Sequence, residues 1–229
     1  MVNVPVPFDP RTSATTFVLT STEYVGSVLA AKFITALQDE APHVKVEFRP
    51  PDRSQVMAWL ERGEVDLRLG YVHEPDPILR SKPLFEEKLV VIARAHHPEI
   101  QGAITLTQYL SARHVTSELA GWTTSGRNID KALGDLHSQR EKQMQVQSAL
   151  TIPHVVAGSD LVATVPESLA RRAARDLGLQ VLPIPLKVLP FRCAAYWHES
   201  VHRDPRHKWF RNILIRVARL AEEVRAEDR

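Results

Sequence analysis

Cysteine is almost missing from these 229 residues: Cys193 stands alone, which excludes a disulfide within the chain and fits a reducing compartment. Its setting, Phe191-Arg-Cys-Ala-Ala-Tyr-Trp197, is apolar, so it reads as a buried thiol. No run approaches the roughly 18 apolar residues of a membrane span. The stretch Met1 to Phe8 has neither a basic start nor an apolar segment, so it is not read as a secretory signal. Charge of one sign is scarce as well. Lys and Arg number 29 against 27 Asp and Glu, a net +2, and they spread along the chain, which argues against a concentrated nucleic-acid face. There is no G-x-S-x-G, no P-loop and no G-x-G-x-x-G, so hydrolase and nucleotide readings lack their usual anchors. Internal repeats and low-complexity tracts are missing too.

What is present is ordinary globular material, 44% hydrophobic and 24% charged. Thr16 to Thr20 reads as a strand, followed by hydroxyl and acidic residues suited to a helix start. Tyr24 to Ala41 is predicted helical, with Val25, Val28, Leu29, Phe33, Ala36 and Leu37 on one face and Pro42 as the stop. Val44 to Phe48 alternates as a strand. A helix carrying Val56, Trp59 and Leu60 then ends at Gly63, and Val65 to Tyr71 is a third strand. This β-α-β-α-β order predicts a parallel sheet. Later strands are expected at Leu89–Ala93, near Val115, at Gln143–Val146, at Leu161–Val165, at Leu179–Ile184 and at Phe191–Trp197. Helices are expected at Leu106–Leu110, near Asn128–Leu133, at Glu167–Leu177 before Gly178, and from Pro205, whose apolar face carries Trp209, Phe210, Ile213, Leu214, Val217, Leu220 and Val224. The reading is one α/β lobe, a second, and a return, with Leu89–Ala93 and Phe191–Tyr196 crossing beside an inter-lobe cleft.

The segment Ala149 to Pro166 organises the second lobe: Thr151 as N-cap, Pro153 in the first turn, His154 beside it, and Gly158 as the end. A helix start presents free N–H groups that favour an anion. Three predicted starts carry hydroxyls: Ser21/Thr22, Thr124/Ser125 and Thr151. Ligands on such sheets bind at the carboxyl ends of strands, here Thr20 to Glu23, Arg49 to Pro51 and Gly70 to His73, the last including Tyr71. A competing motif, His198-Glu-Ser-Val-His202, matches the zinc signature H-E-x-x-H, with Glu222 as a possible third ligand. That chemistry needs both histidines on one helix. Here the motif follows a β-like run and precedes Asp204-Pro205, so it reads as a polar loop. His96-His97 before Pro98 reads as solvated, and His114 and His137 lack partners at metal-ligand spacing.

Several segments together are similar to one family: Phe8-Asp-Pro, Leu60-Glu-Arg-Gly-Glu-Val-Asp-Leu-Arg-Leu-Gly70, Pro83-Leu-Phe85 with Leu89 to Pro98, and Ile152 to Pro166. From Phe8 to about Leu220 the chain resembles the effector-binding domain of LysR-type transcriptional regulators. Tyr196-Trp-His198 and Arg203-Asp-Pro205 resemble the branch of salicylate-type and nodulation regulators. The resemblance implies an α/β, periplasmic-binding-protein-like (type 2) fold with two Rossmann-like lobes joined by two crossover strands: residues 1–15 as a tail, 16–90 with 194–229 as one lobe, 91–193 as the other. It implies a small aromatic or carboxylate effector in the cleft, a homodimer or homotetramer, a cytoplasmic setting, and no cofactor, membrane or enzymatic activity. DNA would be bound only through a winged helix-turn-helix domain missing from this chain. By position, Thr22, Thr124 and Ser125, Pro153 and His154, and Tyr196 are the implied effector contacts, and the helix-start and strand-end readings add Ser21 and Tyr71. An exported solute-binding protein of the same fold, or a zinc hydrolase through His198 and His202, are the alternatives.

Overall fold

The computed structural model describes residues 8–52, 54–72, 75–117, 124–135 and 140–227, with the side chains of 124–128 and 221–227 outside that description. The chain divides into two compact units, Met1–Phe85 with Arg192–Arg229, and Glu86–Phe191.

The first unit is built on β1 (Thr16–Thr20), α1 (Glu23–Glu40), β2 (Lys45–Arg49), α2 (Val56–Arg62), β3 (Leu67–Gly70), β4 (Leu79–Glu87), β10 (Phe191–His198) and α7 (Pro205–Glu227). Its sheet has the order β2-β1-β3-β10-β4. The β1–β2 and β1–β3 pairs are parallel, and β10 runs antiparallel to β3. The α1 face packs as its spacing predicts: Val25, Leu29, Phe33 and Leu37 are buried. Phe17 of β1 stacks on Phe210 of α7 at 3.8 Å between ring centres, and Phe33 meets Phe210 edge-on at 5.3 Å. On α7, Phe210, Ile213, Leu214 and Val217 are buried as expected, but Leu220 is exposed, and Val224 lies outside the described side chains. Gly63 takes the left-handed conformation that closes α2, at φ 70°.

The second unit contains β5 (Leu89–Arg94), α3 (Leu106–Ser111), β6 (His114–Ser117), α4 (Thr124–Leu133), β7 (Lys142–Val146), α5 (Ile152–Ala157), β8 (Ala163–Pro166), α6 (Glu167–Leu177) and β9 (Leu179–Pro183). Strand β5 is central, antiparallel to both β8 and β9. The parallel pair β6–β7 joins through a bridge between His114 and Val162. Its core gathers Leu89, Val91, Ile100, Tyr109, Ile129, Leu133, Val162 and Leu182.

Two expectations change here. Sequence pattern gave no strand between Tyr71 and Leu89, yet Leu79–Glu87 is the nine-residue β4, and the chain passes between the units inside it rather than in Leu89–Ala93. Pro83 hid it. Proline cannot donate to a ladder, and it is tolerated here because β4 is the last strand of its sheet. Helix α4 begins at Thr124, a full turn before the predicted Asn128.

Candidate functional site

Strand β1 delivers three consecutive hydroxyl residues to the positive end of α1. Thr20 is 0% exposed, and its Oγ1 has no hydrogen-bond partner among the described residues. Ser21 is buried, with its N–H donating to the Arg49 carbonyl at 3.3 Å. Thr22 is the N-cap: its backbone is extended and its Oγ1 accepts from the Val25 N–H at 3.5 Å. Glu23 follows, exposed, in the first turn. The 18 residues of α1 are long enough for its dipole to act fully at that end. A buried hydroxyl without a partner costs about 1–3 kcal/mol, so its retention calls for a reason. The expected residues were Ser21 and Thr22; the Thr20 side chain was missed, although the strand end Thr20–Glu23 was marked.

Tyr196, from the same unit, sits on β10 opposite Arg68 of β3. It is buried among Val56, Leu60, Val65, Leu79 and Ala194. Burial pushes its phenol pKa up, the Val72 backbone hydrogen bond and Arg68 oppose that, and Cys193 and Tyr71 add to it. Tyr71 is half-buried at the end of β3 and is therefore brought to the same neighbourhood. Ser21, Thr22, Tyr71 and Tyr196 thus belong to one unit, all on β1, β3 and β10 or at their ends.

In the second unit the predicted start of α5 moves. Thr151 has helical backbone angles and no side-chain cap. The chain is already turning in the 3-10 segment Ala149–Thr151, capped by Ser148, whose Oγ accepts from the Leu150 N–H at 3.2 Å. The Thr151 cap is therefore corrected to Ser148. The signal was a serine just ahead of Ala149, masked by Pro153, which suggested a later start. Pro153 is buried and His154 is exposed, one turn inside this continuous start. Thr124 and Ser125 occupy the first turn of α4, but their side chains lie outside the described residues.

The zinc reading fails on geometry. His198 ends β10, and Glu199–Val201 is a 3-10 turn. His198 Nδ1 is bonded to Ser200 Oγ at 2.7 Å, His202 Nδ1 accepts from the Trp197 indole at 3.2 Å, and Glu199 pairs with Arg80. The side chain of Glu222 lies outside the described residues. Among the described residues no group of three or more His, Cys, Asp or Glu side chains could hold a metal. His96 is exposed as expected, but His97 is buried: its Nδ1 accepts from the Glu99 N–H, so its Nε2 donates to the Asp160 carbonyl at 3.0 Å. His137 lies outside the described residues. No described helix is long and apolar enough to cross a membrane.

A family model described as the LysR substrate binding domain matches residues 10–219. Nodulation protein D 1 of Rhizobium tropici is 32% identical over 93% of this chain and 68% of its own length. The HTH-type transcriptional activator NagR of a Ralstonia species is 28% identical over 92% of the chain and 69% of that protein. For the HTH-type transcriptional regulator SyrM of Rhizobium meliloti (strain 1021), the values are 30%, 85% and 59%, so the chain spans between about six- and seven-tenths of these relatives. Among solved structures, the probable transcriptional regulator PA0477 from Pseudomonas aeruginosa has a TM-score of 0.82 at 32% identity, covering 91% of this chain and 68% of that one. The regulatory domain of MexT from the same organism shares the fold, with a TM-score of 0.74 at 23% identity over 90% of this chain and 99% of that chain. NagR and SyrM are named as transcriptional regulators, not enzymes. The chain belongs to the LysR substrate-binding domain family and has its two-unit, periplasmic-binding-protein-like α/β fold.

Proposed function

We propose that this chain is the sensing domain of a LysR-type transcriptional regulator and that its effector is a small carboxylate, aromatic in kind. One observation carries the reading: the buried Thr20 hydroxyl without a partner, next to Ser21 and the Thr22 cap of α1. A carboxylate there gains about 0.3–1 kcal/mol from the helix end. Each charge-assisted hydrogen bond adds about 1.5–3 kcal/mol. Tyr71 and Tyr196 supply the ring surface that suits an aromatic body. The effector acts by favouring one arrangement of a homodimer or homotetramer, and so shifts DNA binding by a helix-turn-helix domain outside these residues, in the cytoplasm.

Melting curves with a panel of aromatic and aliphatic acids, each paired with its neutral amide, test this. At a hundredfold excess over Kd an effector acid raises Tm by roughly 5–10 °C. The amide has a much smaller effect. A panel with no shift, or equal shifts for acids and amides, overturns the carboxylate reading.

A further inference from the structure

The second unit buries a cation that its own side chains do not satisfy. The Arg140 side chain is 3% exposed, and its Nε has no hydrogen-bond partner among the described residues. Its other two nitrogens are used. One donates to the Tyr109 hydroxyl at 3.1 Å, the other to Asp130 Oδ1 at 3.2 Å. Asp130 is 39% exposed and is shared with Lys142, whose Nζ lies 3.9 Å from Oδ2. Two cations therefore draw on one carboxylate. The nearby His114 ring does not offset this. Burial first, then the Arg140 and Lys142 charges, hold its pKa down at about 4, against the Tyr109 carbonyl bond at 2.8 Å, so it is neutral near pH 7.

The hydroxyls around Arg140 also hold one proton more than their mutual bond uses. Tyr109 accepts from Arg140, and its hydroxyl shares one hydrogen bond with Thr164 Oγ1 at 2.8 Å, in which either oxygen can donate. Whichever donates, the second hydroxyl proton of the pair has no acceptor among the described residues. A guanidinium N–H and one hydroxyl O–H of the Tyr109–Thr164 pair are left unspent, inside a group of net positive charge. Buried donors are retained unpaired only at a cost, and a buried charge is tolerated when an opposite charge meets it.

We infer that Arg140, Tyr109 and Thr164 form a site for a small inorganic anion of the size of chloride, distinct from the hydroxyl cluster of the first unit. The near-complete burial of the guanidinium favours a monatomic ion over an organic acid. The ion completes the Arg140 coordination and balances Lys142, tying α4, α3 and β8 together through Asp130, Tyr109 and Thr164.

Crystals of the protein grown with sodium bromide in place of chloride test the site directly. The expected result is an anomalous peak within hydrogen-bond reach of Arg140 Nε. Water at that position, or bromide confined to surface cations as an adventitious ion only, overturns the proposal. In solution, replacing gluconate by chloride at constant ionic strength raises Tm by roughly 2–5 °C. Arg140→Met removes that rise, and an unchanged rise in the folded variant contradicts the assignment. Should Arg140→Met fail to fold, the bromide peak in the unaltered protein still decides.

Discussion

Thr20 is the residue on which the sensing account rests. Its hydroxyl is buried without a partner, so Thr20→Val removes a desolvated group while keeping nearly the same shape. The expected outcome is a Tm for the free protein that is unchanged or up by an amount worth about 1 kcal/mol, read in a thermal melt. A large loss of Tm would mean that Thr20 is bonded in solution and is not waiting for a ligand. His154 is exposed on α5, so His154→Ala leaves the melt within about 0.5 kcal/mol of the parent. At this scale the sequence was partly legible. The run Thr20-Ser21-Thr22 marked a helix start and a strand end at once. It could not show that Thr20, rather than Ser21 or Thr22, would be the hydroxyl left unpaired, because that depends on which backbone groups β1 and β3 have already used. His97 was misread for a similar reason. Its neighbours are polar, but the Asp160 carbonyl, distant in sequence, draws it inside.

Elements with strong local signals formed as expected. Gly178 takes φ 63° beyond α6, where its missing side chain avoids strain. Gly178→Ala should cost about 1 kcal/mol, measurable by denaturant titration, and no cost would mean that the helix end relaxes freely. What lay beyond local pattern was help from afar. Helix α6 has Pro166 as N-cap and no side-chain cap of its own. The buried Glu87 fills that role, accepting from the Ser168 N–H at 3.2 Å and the Ser168 hydroxyl at 2.8 Å. No spacing rule links residues 87 and 168. Strand β4, which carries Glu87, was itself invisible because Pro83 and a run of exposed residues broke its alternation. The start of α5 shows the opposite error, a local rule applied too well: Pro153 fits a first turn, but the 3-10 turn before it had already begun the helix.

For the whole molecule, acid should act on both units together. His207 is fully buried in the first; its Nδ1 accepts from Arg211 at 2.7 Å, and its Nε2 therefore donates to the Asp66 carbonyl at 2.9 Å. Burial holds its pKa near 4, as it does for His114 in the second unit. Each ring's folded pKa lies below its unfolded value, so the unfolded chain takes up more protons as pH falls. The stability each ring confers is complete above about pH 6.5 and is lost towards pH 4, on the order of 3 kcal/mol apiece. Asp66, whose pKa burial raises, works the other way and offsets part of this. Denaturant titrations across that range should therefore show a steep decline, and a flat profile would contradict neutral buried rings. The α/β order was legible from periodicity, while strand β4, inside which the first unit ends, was not.

The most direct measurement is calorimetric titration of an acid found in the melting screen against the parent protein and against Thr20→Val. A charge-assisted bond to the Thr20 hydroxyl predicts a Kd roughly 10–150-fold weaker in the variant, with its fold intact. Equal Kd values in the two proteins would contradict the carboxylate site at the start of α1.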